Sequence, residues 1–132
     1  ITRYLDELAG SNLYPKHNIY DVLTLEALAD GIMESAVSIT YESKLRPKNE
    51  QSASWMDAQW SKVHHAVKAL NDRKFQAMDG ELNMGQIAVA CSLGYLDFRH
   101  DGRQWRNGNS NLASWYEGMM KLPALIKTIP TD

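Results

Sequence analysis

Asn83-Met84-Gly85-Gln86-Ile87-Ala88-Val89-Ala90-Cys91-Ser92-Leu93-Gly94-Tyr95-Leu96, residues 83–96, decides the reading of this chain. Its first four residues have the form of a capping box. The Asn83 side chain can accept from the third backbone N–H of a helix, while Gln86 reaches back to the Asn83 amide. The ten residues that follow are apolar on almost every side, which predicts a helix buried all round. Ala88, Ala90 and Gly94 are small enough to let neighbouring helices come close.

Outward from that centre, the same 3.6-residue step recurs. Upstream, Val22, Leu25, Ala29, Ile32, Ala36 and Ile39 or Thr40 mark one face of a helix over residues 20–45, ended by Pro47. Gly31 inside it suggests either close approach by a neighbour or plain tolerance. A third segment opens at Ser52 or Ser54 and continues to about residue 78, with Met56, Trp60, Val63, Val67 and Leu70 in step. The Pro-containing link between the two long segments predicts an antiparallel helical hairpin. At the start, Ile1, Tyr4, Leu5 and Leu8 fall on one helical face, with Gly10 as a stop. No capping residue precedes that first helix.

Downstream, a polar loop is expected over residues 100–108. Asn109 or Ser110 then caps a fifth helix carrying Leu112, Trp115, Tyr116 and Met119. Pro123 stops it, and Leu125, Ile126 and Ile129 supply a short closing turn. No strand-like alternation and no internal repeat interrupt the pattern. The fold class is all-α, a bundle of about five to six helices around the helix beginning at residue 84.

The chain has 132 residues, 44% of them hydrophobic, which suits one globular domain. Lys and Arg number 14 against 16 Asp and Glu, a formal charge of −2, which disfavours a dedicated nucleic-acid binder. A single cysteine, Cys91, excludes an internal disulfide and fits a reducing, cytoplasmic home. No apolar run approaches the roughly 18 residues that suggest a membrane span.

Motifs of chemistry are sparse. There is no Gly-rich phosphate loop and no GxSxG elbow. His64 and His65 are adjacent, so a helix points them apart rather than at one metal ion, and no metal site is expected. Cys91, in mid-helix among Ala, Val and Leu, reads as a small apolar filler rather than a nucleophile. Glu26, Asp30 and Glu34 form an acidic stripe at i, i+4, i+8, which is either a solvated face or a substrate-orienting one. Arg99, Arg103, Trp105 and Arg106 crowd one loop, which either grips an anion or plugs Trp105 onto the core while the arginines pair with Asp97 and Asp101. On residues alone, the reading stops at a helical domain.

A resemblance carries it further. Ile1-Thr2-Arg3-Tyr4-Leu5 is similar to the Ile-x-x-Tyr-Leu stretch that follows a Glu-Ser pair in glutathione S-transferases. Glu26-Ala27-Leu28-Ala29-Asp30-Gly31-Ile32 resembles the start of the first long helix of the C-terminal domain in bacterial-type members. The box at Asn83 and Gln86, with Gly94-Tyr95-Leu96-Asp97-Phe98-Arg99, resembles the family's buried helix. There the box usually reads Ser/Thr-x-x-Asp, so both of its ends differ here. Residues 111–123 are similar to the final helices, with Leu122-Pro123 where Arg-Pro is frequent.

The resemblance implies that residues 1–10 are the end of the last helix of a thioredoxin-like domain plus linker, and residues 11–132 the helical C-terminal domain. It implies a parent protein that conjugates glutathione, its co-substrate, to small electrophiles in detoxification. The thiol-activating residue would lie in the thioredoxin-like domain, so no catalytic residue is assigned in this chain, which alone would be inactive and hold no cofactor. The expected partners are that domain and a second copy in a homodimer, with neither nucleic acid nor membrane. By position, Asp30 and Glu34 are expected on the wall of the electrophile pocket, disfavouring anionic electrophiles. Two rival readings stand beside this one: a non-catalytic relative that binds a ligand or protein, and a helical regulator contacting nucleic acid through residues 99–106.

Overall fold

The computed structural model describes residues 1–131. Six helices follow one another: α1 (Thr2–Ala9), α2 (Ile19–Leu45), α3 (Ala53–Asp72), α4 (Met84–His100), α5 (Ser110–Met119) and α6 (Pro123–Lys127). Short 3-10 turns join most of them, and no strand occurs among the described residues. This is the all-α bundle expected from the periodicity.

The long helix α2 is the spine, packed chiefly against α4 and α3. Val22, Leu25, Ala29, Ile32, Ala36 and Ile39 are all buried, so one face of α2 is the core stripe. Val63, Val67 and Leu70 of α3 meet it, as do Val89, Ala90, Leu93 and Leu96 of α4. Trp105, Leu112, Tyr116 and Met119 close the far side.

The capping box of α4 forms in full. Asn83 Oδ1 accepts from the Gln86 backbone N–H at 3.1 Å, and Gln86 Oε1 accepts from the Asn83 N–H at 3.3 Å. Both side chains also use their NH2 groups. Asn83 Nδ2 donates to the Ala77 and Glu81 carbonyls, and Gln86 Nε2 donates to the Met78 carbonyl. A Ser and an Asp in these positions would close the box but have no NH2 to donate. The departure from the family's usual residues therefore gives α4 a hold on the loop that precedes it.

Gly85 sits where α4 meets α2. A Cβ there would stand 2.8 Å from Leu25 Cβ and 2.9 Å from the Val22 carbonyl oxygen. Of the small residues singled out in the sequence, Gly94 makes room only for the Tyr116 hydroxyl, and Ala88 is half-buried. The tightest approach thus belongs to Gly85, which the sequence pattern had passed over as part of the box. Gly31 is exposed with nothing within 4 Å, so tolerance is its reading within this chain.

Other expectations need correction. α4 is not buried all round, because Cys91 is exposed and Ile87, Tyr95 and Phe98 are half-buried. The third segment ends at Asp72 rather than near residue 78. Arg73 turns extended, and the Asp21 carboxylate accepts from the Gln76 N–H at 2.8 Å, which draws residues 76–78 into a separate turn. Asn109 holds the N-cap position of α5 without capping it through its side chain. The Leu112 N–H, the amide it would serve, is taken at 3.1 Å by Asn71 Oδ1 of α3. Asn109 Nδ2 instead donates to the Trp105 carbonyl at 2.6 Å. The expected polar loop at 100–108 loses its first residue, since His100 is buried as the last residue of α4.

Helix α1 is tied to the rest by its polar side. The buried Asp6 carboxylate accepts from the Ser11 hydroxyl and from the Leu13 N–H, and these bonds hold its carboxyl below the usual carboxylate range. Gly10 ends the helix in the left-handed region at φ 62°. The apolar face faces outward: Ile1, Tyr4, Leu5 and Leu8 are all at least half exposed.

One substitution at two glycines tests this packing. Gly85→Ala is expected to destabilise the fold by about 1–3 kcal/mol, because the clash includes backbone that cannot swing away. Gly31→Ala is expected to stabilise it by up to about 1 kcal/mol through helix propensity. Urea unfolding followed by circular dichroism reads both; a shift of the same sign for the two would show that no tight crossing exists at Gly85.

Candidate functional site

A groove of about 490 Å³ opens beside α4, on the side that the bundle leaves uncovered. Cys91, Gly94, Tyr95 and Phe98 form its wall on α4, at i, i+3, i+4 and i+7. Met33 enters from α2, Tyr116 and Met120 from the region of α5, and Leu125, Ile129 and Pro130 from the last segment. Apolar atoms dominate the lining. A concave, mostly apolar site with few polar groups is the usual form of a small-molecule pocket.

One end of the groove is fixed by Asp97. Its carboxylate accepts from Trp105 Nε1 at 2.7 Å and from both terminal nitrogens of Arg106, at 2.5 and 2.7 Å. The paired geometry matches guanidinium to carboxylate and orients both groups. Arg106 also lies over the Trp105 ring, 4.4 Å from its centroid. These contacts seat Trp105 in the core and press Tyr116 against it edge-on, with ring centroids 5.9 Å apart.

Behind the groove runs a buried polar chain. His100 Nε2 lies 2.9 Å from the Ala36 carbonyl oxygen and 3.1 Å from Thr40 Oγ1. A carbonyl can only accept, so Nε2 carries the proton and the neutral ring leaves Nδ1 bare. The Tyr95 hydroxyl donates to Thr40 Oγ1 at 3.1 Å, joining the groove wall to this chain. Burial holds the His100 pKa below its ordinary value of 6.5, and Arg103 adds to that effect against the Ala36 hydrogen bond.

The residues singled out by sequence fall in different places. Asp30 and Glu34 are exposed on α2 and do not line the groove, although Met33 between them does. Helix spacing sets Asp30 and Met33 next to each other. Glu26, the third member of the stripe, is engaged: it accepts from the Tyr14 hydroxyl at 2.6 Å and from the Thr2 hydroxyl at 3.4 Å, tying α1 to α2. The arginine loop is not an open anion grip. Arg106 pairs with Asp97, and Arg103 pairs with Asp57 of α3 rather than with Asp101, lying 5.0 Å from the Trp60 ring centroid. His64 and His65 are exposed on α3, and no group of three or more His, Cys, Asp or Glu among the described residues is placed to hold a metal ion.

Cys91 is a groove residue rather than a core filler. Its apolar surroundings push the thiol pKa up, so it is a poor source of thiolate. Tyr116, read from the sequence as a core aromatic, also belongs to the groove. The signal that could have found this wall was the stripe Cys91, Gly94, Tyr95 and Phe98. It has helical spacing but includes two small residues, which leave a hollow where bulky ones would fill the core.

Comparison with known proteins agrees with the architecture. Residues 53–118 match the family described as glutathione S-transferase, C-terminal domain. A glutathione transferase family member from Pseudomonas fluorescens Pf-5, solved with bound S-(propanoic acid)-glutathione, has a TM-score of 0.92 and 36% identity over 98% of this chain and 68% of its own. A glutathione S-transferase from Methylobacillus flagellatus KT with GSH bound has a TM-score of 0.81 and 29% identity over 92% of this chain and 62% of its own. An uncharacterised GST-like protein of Escherichia coli (strain K12), YibF, is 30% identical over 114 residues, 83% of this chain. This chain spans 54% of that relative's length. The chain belongs to the glutathione S-transferase family and has the fold of its helical C-terminal domain. Among the described residues no helix is long and apolar enough to cross a membrane.

The buried histidine gives a pH test. Its folded pKa is lowered, so above about pH 6.5 both folded and unfolded rings are neutral and the stability is complete. As pH falls below that value, the unfolded chain takes up a proton that the folded one refuses, and stability drops until the folded pKa is reached. Thermal midpoints are expected to fall over this window, and His100→Gln is expected to flatten the fall. An unchanged slope in the variant would place the titration elsewhere.

Proposed function

We propose that this chain is the electrophile-binding domain of a glutathione-conjugating transferase. The observation that carries the proposal is the apolar groove beside α4 in a chain of this family. Glutathione chemistry pairs a polar thiol peptide with an electrophile that is commonly apolar, and an apolar hollow of about 490 Å³ suits the second partner. The activity belongs to a longer parent. A thioredoxin-like domain, of which residues 1–10 would be the end, would hold glutathione and the group that lowers its thiol pKa, while residues 11–132 supply the wall. The outward apolar face of α1, with Tyr4, Leu5 and Leu8, supports a neighbour there, since contiguous apolar surface marks contact sites. A homodimer and a cytoplasmic home belong to the same reading.

Asp30 and Glu34 stand in this proposal as exposed acids close to Met33 along α2, at the margin of the groove rather than in it. Their expected effect is repulsion of anionic electrophiles. The double substitution Asp30→Asn, Glu34→Gln in the full-length parent is expected to lower KM for an anionic electrophile by a few-fold and to leave a neutral one unchanged. Identical constants for both substrates would remove the two acids from the site.

Filling the groove tests the main proposal. Met33→Trp in the full-length parent is expected to raise KM for a bulky electrophile about tenfold or more, as steric conflict replaces open space, with KM for glutathione unchanged. Steady-state conjugation with each substrate varied in turn reads the split. Equal kinetics in variant and parent would show that the electrophile binds elsewhere. A parent that conjugates nothing yet still binds apolar ligands in this groove would instead favour the non-catalytic binding module.

A further inference from the structure

Five groove residues carry polar side-chain atoms, and most of those atoms are already occupied. Both Asp97 oxygens accept from Arg106, and one also from Trp105. The Tyr95 hydroxyl donates to Thr40, and the Thr128 hydroxyl donates to the Ala124 carbonyl at 3.0 Å. Cys91 offers only a thiol, a weak donor. The Tyr116 hydroxyl is different. Among the described residues it has no hydrogen-bond partner, although the residue is 6% exposed. It reaches the groove through the gap at Gly94, 3.1 Å from where a Cβ on that residue would stand. The ring behind it cannot drift, held edge-on against Trp105, which Asp97 pins by its Nε1. A buried hydroxyl without a partner costs on the order of 1–3 kcal/mol, so an arriving acceptor has a gain to collect.

We propose that the Tyr116 hydroxyl is the hydrogen-bond donor that receives the carbonyl oxygen of the groove's ligand, so that the site selects apolar electrophiles bearing a carbonyl group. This rests on the groove being the electrophile site and adds the chemical class. Burial and the Asp97 carboxylate raise the Tyr116 pKa against the effect of Arg106, which keeps the proton on the oxygen and the group a donor. The class has a chemical logic. In conjugate addition the thiolate sulfur of glutathione bonds to the β-carbon of an unsaturated carbonyl compound. The C=C π pair shifts and negative charge settles on the carbonyl oxygen, until the α-carbon takes a proton from water. A fixed donor at that oxygen stabilises the charge as it forms. Tyr116 is thereby a binding and positioning residue that leaves the thiol chemistry to other groups.

The test uses two unreactive probes of similar shape, acetophenone and ethylbenzene, with the intact protein and its Tyr116→Phe variant. The substitution removes one oxygen and keeps the ring that packs on Trp105. Acetophenone is expected to lose about three- to tenfold in affinity by NMR titration, the range for one neutral hydrogen bond, while ethylbenzene binds the variant as well as the parent. The carbonyl stretch of bound acetophenone is expected at lower frequency in the parent than in the variant, a signature that loss of packing would not give. If both probes bind, and the variant changes neither acetophenone affinity nor its carbonyl stretch, the role of Tyr116 is overturned while the groove stands as a ligand site. If neither probe binds the parent, the groove is no ligand site, and the electrophile-pocket reading fails together with the role of Tyr116.

Discussion

Two side-chain amides, Asn83 and Gln86, set the position from which the rest of the bundle is built. Their oxygens satisfy orphan N–H groups at the start of α4, and their NH2 groups hold the carbonyls of residues 77, 78 and 81. Trp115 of α5 donates its indole N–H to the same Met78 carbonyl. The start of α4 is therefore bonded to the loop that delivers it and, through Met78, to the helix that closes the core. A buried helix end without such partners would leave unpaired groups at considerable cost. With the end of α4 fixed, Gly85 falls opposite Val22 and Leu25, and the two central helices meet at backbone distance.

That crossing shapes the site. At its start α4 lies against α2, with Gly85 and Gln86 both buried. Further along, its core side meets α2 and α5 through Val89, Leu93 and Leu96, and its opposite stripe through Cys91, Gly94 and Phe98 is left partly open. The short α6 segment, begun by Pro123 at the first helical position, returns along that stripe and supplies Leu125, while Ile129 follows it. The groove is thus a consequence of where the bundle runs out of helices to cover α4. Polar groups inside it are restrained by partners that lie outside it: Tyr95 by Thr40 and the His100 chain, Asp97 by Trp105 and Arg106.

Charged residues in this domain are mostly structural where they are not solvated. Glu26 anchors Tyr14 and Thr2, Asp21 caps the turn at Gln76, Asp6 folds the linker after α1, and Arg106 fixes Asp97. The cluster of arginines at 99–106 is hence a set of separate local contacts rather than one electropositive surface. Arg99, for its part, lies over the Phe98 ring at 3.7 Å. This explains why a chain with a conspicuous basic loop has the near-neutral balance of an ordinary globular domain.

The sequence by itself determined the helices, their buried faces and the box at Asn83, because helix periodicity and capping depend on residues three or four apart. The α2 stripe from Val22 to Ile39 is buried at every expected position for that reason. It also carried, in ordered short motifs, the membership of a family. Only the tertiary structure decided which small residue takes the tight crossing, which acid is free and which is bonded, and that Asn71 rather than Asn109 serves the start of α5. It alone turned Cys91 and Tyr116 from core fillers into groove wall. Each of these depends on partners tens of residues away along the chain, brought together by packing. A local pattern records what a residue can do and not what it will meet.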